Sequence, residues 1–171
     1  MSADQDQPVR VRRRIAAPAE VIFRILADPG MHTALDGTGM LRGAVSTEPI
    51  SGPGQVFVMR MHYSRHGNYE MNNHVVEFEP GRRIGWEPEA GRGHPATGAG
   101  RTEPLRWGHR WSFELVPDGP GATFVTEVYD CSRAPAEARA GMAGGRVWID
   151  GMQQTLARLA ALCARQDARH A

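Results

Sequence analysis

Seven histidines, 19 acidic side chains and two cysteines are the groups here that can move protons, bind metal or attack a substrate. Their spacing removes most of those options. Cys131 and Cys163 are too few for a disulfide framework, are not spaced as metal ligands and read as buried thiols. No two histidines fall at metal-ligand spacing on one helix or strand, so no metal is expected. There is no G-x-S-x-G elbow and no phosphate-binding glycine loop, and no cofactor is implied. What remains is His109. Between Trp107 and Leu115 one alternate face reads Trp107, His109, Trp111, Phe113, Leu115, and the other Gly108, Arg110, Ser112, Glu114, Val116. If the aromatic face points inward, desolvation keeps His109 neutral, able to act as a general base or to orient a ligand carbonyl or hydroxyl. The plainer alternative is a core histidine bonded to a neighbour.

Other candidates depend on strand register. Thr123, Val125, Glu127 and Tyr129 share a side; if it faces inward, Glu127 becomes the acid nearest His109 and the two can pair, whereas a surface glutamate is the default. Phe57, Met59, Met61 and Tyr63 read as an inward face that a one-residue bulge would reverse. From Tyr69 to Glu79 neither alternate set is clean, so Asn73 or His74 approaches the interior. Either would bond a ligand, a sheet end or a buried water. His32 and Asp36, four apart, would share a helical face and contact ligand at a cavity mouth; alternatively Asp36 turns the chain before Gly37.

These residues need elements to hold them. Trp148, Ile149, Met152, Leu156, Leu159, Ala160 and Cys163 recur at helical steps, predicting a long amphipathic helix over Val147 to Cys163 whose apolar face requires a sheet. Ahead of it the chain reads as a strand from Val9 to Ala16, a helix opened by Pro18, a helical turn from Gly30 to Leu35, and a break at Asp36 to Gly39. Strands follow at 40–47, 55–63, 69–79, 83–87, 105–116 and 123–131, separated by turn residues such as Ser51-Gly52-Pro53-Gly54 and Glu79-Pro80-Gly81. The segment 88–104 is a long Gly/Pro loop, a lid or a disordered stretch. Residues 132–146 read as irregular or broken helix, with the last helix ending near Ala164.

The 171 residues fit one domain over 9–164, with a disordered 1–8 and a frayed 165–171. A net charge of +1 gives no footprint for nucleic acid, and Arg10, Arg12, Arg13 and Arg14 read as the solvated edge of a strand. No stretch approaches membrane-spanning length, and the polar N-terminal start lacks the pattern of a secretion signal; a cytoplasmic protein is expected.

A strand, one or two short helices, an antiparallel meander and a long C-terminal helix make a helix-grip α+β fold. The segments Ile15 to Phe23 with Asp28-Pro29, Val75 to Trp86, and the Gly121-Ala122-Thr123 turn resemble the START/birch-pollen-allergen-like superfamily (SRPBCC), within it the polyketide cyclase/dehydrase and lipid-transport group. The resemblance runs over Val9 to Leu162, and His32 to Gly37 is similar to one bacterial subgroup. It implies an internal hydrophobic cavity between sheet and helix. It also implies a small hydrophobic or polyketide-like ligand held by Met59, Met61, Trp86, Trp107, Trp111, Phe113, Trp148 and Met152. His109 with Tyr69 or Glu127 would move protons during cyclisation and dehydration without a cofactor. The same scaffold serves non-catalytic carriers and sensors of lipids or quinones, and co-chaperone-type interaction domains. Homodimerisation is left open.

Overall fold

The computed structural model describes residues 7–97 and 106–170. The tip of the long loop, 98–104, and most of the expected N-terminal disorder lie outside them. Strand β1 (Val9–Ile15) leads through Pro18 into helix α1 (Ala19–Leu26), which buries Ala19, Ile22, Phe23, Ile25 and Leu26. Asp28 accepts from the Gly30 N–H at 2.9 Å and Pro29 fills the first turn, so α2 (Pro29–Leu35) forms as a true short helix. The meander follows as β2 (Leu41–Ala44), β3 (Val56–Tyr63), β4 (Gly67–Glu79), β5 (Arg83–Ala90), β6 (Arg110–Pro117) and β7 (Thr123–Asp130). Helix α3 (Ala136–Gly141), a 3₁₀ turn (Ala143–Trp148) and helix α4 (Ile149–His170) complete the chain.

The seven strands form one antiparallel sheet in the order β1-β7-β6-β5-β4-β3-β2. It curves around α4, which is the helix-grip fold. One half of the grip is solid: Leu156, Leu159 and Cys163 of α4 pack with Ile15, Ile22, Phe57, Val75, Ile84, Phe113 and Val125. Fully burying each such side chain stabilises the fold by about 1.5–3 kcal/mol. The other half, under the start of α4, is hollow.

Three element ends differ from expectation for local reasons. β5 continues through Pro88 to Ala90, pairing with β4, while its pairing with β6 stops at Trp86↔Trp111. Pro88 has no N–H to donate, in keeping with an edge where two strands part. β6 accordingly starts at Arg110, with Arg106 reduced to an isolated bridge to Glu89. The last helix begins at Ile149, because Gly144 and Gly145 adopt left-handed φ of 64° and 94° and hold Val147 and Trp148 in the 3₁₀ turn. It then runs past Ala164 to His170 on a sequence rich in Ala, Arg and Gln, all good helix formers.

A β-bulge explains why no alternate set on β4 was clean. The register slips between Val75 and Glu77, so Tyr69, Met71, Asn73 and Val75 face the helix before the slip and Phe78 faces it after.

Candidate functional site

The hollow half encloses a cavity of about 490 Å³. β3 contributes Phe57, Met59, Met61 and Tyr63, and β4 contributes Tyr69, Met71 and Asn73. Trp86, Trp107, Trp111, Phe113, Tyr129 and Trp148 supply most of its aromatic wall. Among the described residues no Arg lines it. Tyr63, 37% exposed, and the exposed His66 mark its open end.

His109 points into this space from the residue before β6. Its Nδ1 lies 3.0 Å from the Tyr129 hydroxyl, which is also 3.2 Å from Met142 Sδ. An imidazole nitrogen is a much better acceptor than a thioether, so the hydroxyl donates to Nδ1 and the ring's proton sits on Nε2. Burial pushes the His109 pKa down to about 4, with Glu87 opposing weakly, so the ring is neutral at pH 7. Nε2 is buried without a hydrogen-bond partner. Burial raises the Tyr129 pKa. The Trp148 indole N–H lies close enough to that hydroxyl to oppose the rise, yet finds no acceptor at bonding geometry.

Glu127 is 5% exposed, and its Oε2 also lacks a partner. Burial, reinforced by the Asp36 carboxylate, raises its pKa well above the usual carboxylate range and so favours the protonated form. It sits at the cavity floor, opposite Phe113 on β6 and beside the solid core. The ladder pairs Tyr129 with Trp111 and Glu127 with Phe113, and His109 precedes its first pair, Arg110 with Asp130. His109 is thus four residues along the chain from the partner of Glu127, about 13 Å at 3.3 Å per extended residue. They face one cavity but do not form the acid/base pair the sequence suggested.

Tyr69 is buried at the open end. Its ring meets His94 at 5.0 Å and His66 at 5.8 Å, while His94 and then Trp107 stand between it and His109. Burial, with Tyr63 nearby, raises the Tyr69 pKa. Asn73 Nδ2 donates to the Phe57 and Met71 carbonyls, so it serves the sheet as well as the lining. His32 donates from Nε2 to the Leu26 carbonyl at 2.8 Å and stacks on Trp86 at 5.2 Å; burial lowers its pKa. Asp36 accepts from Thr38 N, Thr38 Oγ1 and Leu41 N, so it turns the chain, and the side-chain contact with His32 expected from their spacing is absent. Both still line the cavity. Met152 does not: it is fully buried behind Tyr129 in a cluster with Cys131 and Ala134.

Several contributors escaped the sequence reading, the Tyr129 hydroxyl and Met142 among them. His94 comes from the segment after β5, where Gly91 N donates to Glu70 O and Arg92 pairs with Glu70, folding the chain back over β4. His66 sits in the β3–β4 turn; the signal for both was only a histidine beside a glycine. Gly37 abuts α4 so closely that a Cβ would lie 2.7 Å from Gln154 Cβ and 2.8 Å from Thr155 N, and its N–H donates to Thr155 Oγ1. Gly145 lies flat under Tyr129, 2.5 Å from ring to hypothetical Cβ, which sets the phenol against His109.

Among the described residues no group of three or more His, Cys, Asp or Glu is arranged to hold a metal, and no helix is long and apolar enough to cross a membrane. The chain is 32% identical over 131 residues to an uncharacterized protein of Mycobacterium tuberculosis, covering 75% of this chain and 50% of the relative. It thus spans about half the length of the curated relatives it matches. A crystal structure of protein Ms6760 from Mycobacterium smegmatis superposes with a TM-score of 0.68 at 17% identity, covering 96% of this chain and 95% of that one. The Zhui aromatase/cyclase of Streptomyces sp. R1128 superposes at 0.62 with 14% identity, covering 94% of each chain. These likenesses concern the fold. A family model described as polyketide cyclase / dehydrase and lipid transport matches residues 6–164, and on that match the chain belongs to this family, a branch of the START-like superfamily.

Proposed function

We propose that the cavity binds a small aromatic or polyketide-like molecule and promotes its cyclisation and dehydration by proton transfer at His109. The observation that carries this reading is a buried imidazole nitrogen with no partner, presented to an aromatic cavity. If the Tyr129 hydroxyl turns from Nδ1 to Met142 Sδ, the ring's proton moves to Nδ1 and Nε2 is bare. Nε2 can then take a proton from the carbon next to a ligand carbonyl, the carbanion closes on a second carbonyl, and the imidazolium protonates the alkoxide that forms. In a second cycle Nε2 takes the remaining proton from the same carbon and returns it to the hydroxyl, which leaves as water as the double bond forms. Glu127, distant along the ladder, anchors rather than shares this step, and Tyr69 positions the ligand at the open end. The fold likeness to an aromatase/cyclase supports the reading without deciding it.

The alternative is a carrier or sensor of an apolar metabolite, and one observation favours it. With a pKa of about 4, forming the imidazolium at pH 7 costs about 4 kcal/mol, an unhelpful start for a general base. Native purification followed by denaturation and mass spectrometry separates the two. The catalytic reading expects a cyclised, dehydrated product from the wild type and its uncyclised precursor from His109→Phe. The same intact apolar metabolite in both would exclude it and leave carriage.

A further inference from the structure

Glu127 and His109 divide the cavity between them. Asp36, the other acid among the described lining residues, already accepts bonds from Thr38 N, Thr38 Oγ1 and Leu41 N. Among the described residues the lining carries three buried polar atoms without a partner: Nε2 of His109, the Trp148 indole N–H beside the Tyr129 hydroxyl at the same end, and Oε2 of Glu127 at the other end, with Trp111 and Phe113 between the two ends. A buried donor or acceptor left empty is costly, so a ligand that fills both ends gains more than its apolar surface alone would give. Among the described residues a ligand anion would meet two carboxyl groups and no Arg.

From this geometry we infer that the cavity takes an elongated, uncharged ligand with one hydrogen-bonding oxygen near each end, roughly 10 Å apart once the concave sheet draws the side-chain tips together. One oxygen accepts from His109 Nε2 and the other meets the Glu127 carboxyl. The inference rests on the reading that the cavity binds a small aromatic molecule, and it adds the ligand's length, its polarity and its lack of charge. Glu127 stands on β7 and His109 immediately precedes β6, whose ladder begins at Arg110↔Asp130, so the spacing is set mainly by the sheet.

Three biphenyls test it, with binding followed by quenching of the cavity tryptophans: one with a hydroxyl at each para position, one with a single para hydroxyl, and one with a para carboxylate. The diol is expected to bind wild type about tenfold more tightly than the mono-ol, and the carboxylate at least about tenfold more weakly than the mono-ol. His109→Phe and Glu127→Leu should each abolish the diol's advantage while the mono-ol still binds, which also shows that the cavity remains intact. Glu127→Gln should retain the advantage, because an amide also donates. Equal binding of diol and mono-ol to wild type, or a carboxylate that binds as well as the mono-ol, overturns the inference and leaves the binding reading standing. Failure of all three probes to bind overturns both.

Discussion

Glu127 and His109 titrate in opposite senses, and the sign of each can be checked. The unfolded glutamate releases its proton near pH 4.5, whereas the buried one keeps it to higher pH, so Glu127 makes stability fall as pH rises through that interval. His109 has a folded value of about 4, below the ordinary 6.5, so the unfolded chain holds the extra proton between those values. Stability therefore falls as pH drops from 6.5 toward 4, by up to about 3 kcal/mol. Glu127→Gln is accordingly expected to raise Tm at pH 8, with the gain vanishing below about pH 4.5, and His109→Phe to flatten the loss between pH 6.5 and 4. Thermal unfolding across pH reads both. A Glu127→Gln Tm unchanged at pH 8 would mean that the wild-type carboxyl is solvated or paired in solution.

At the scale of elements, the cavity depends on how closely the segment after α2 approaches α4. Gly37 N bonds Thr155 Oγ1, the Arg158 guanidinium bonds the Asp36 carbonyl, and no space remains for a Cβ at Gly37. Gly37→Ala should cost about 2–3 kcal/mol in a denaturant titration, whereas Gly52→Ala, with nothing near its site, should stay within about 0.5 kcal/mol. Equal costs would show that the loop does not need this contact. Period-two alternation made the inward faces of β3 and β6 legible in the sequence, which is how His109 could be singled out. On β7 it left the choice of face open with a surface glutamate as the default, and Glu127 is instead buried. The β4 bulge was not legible, because a one-residue slip leaves no compositional mark. Neither was the His94 position, because it follows from hydrogen bonds between Gly91 and Glu70 that no periodic pattern encodes. Met152 shared the helical stripe with cavity residues, yet periodicity cannot distinguish the hollow half of a grip from its solid half.

Across the molecule, the two faces of the sheet have separate tasks. On the outer face Glu87 is held by Arg110 and Arg133, Glu77 by Arg110 and Arg83, and Glu89 by His74 and Arg106. This ion-paired surface spans the place where β5 and β6 part, tying the strands there from outside while the inner face stays apolar. The paired charges also disfavour the outer sheet as an apolar docking face, in line with its strand pattern. The central claim, that an apolar ligand occupies the hollow half, can be read from methionine methyl groups. Met40, Met59, Met61, Met71 and Met142 line the cavity, while Met31 and Met152 pack elsewhere. With methyl-labelled methionine, an NMR titration with the mono-hydroxylated biphenyl should shift the five lining resonances and leave those of Met31 and Met152 in place. Shifts confined to Met31 or Met152, or none at saturating probe, would contradict the account.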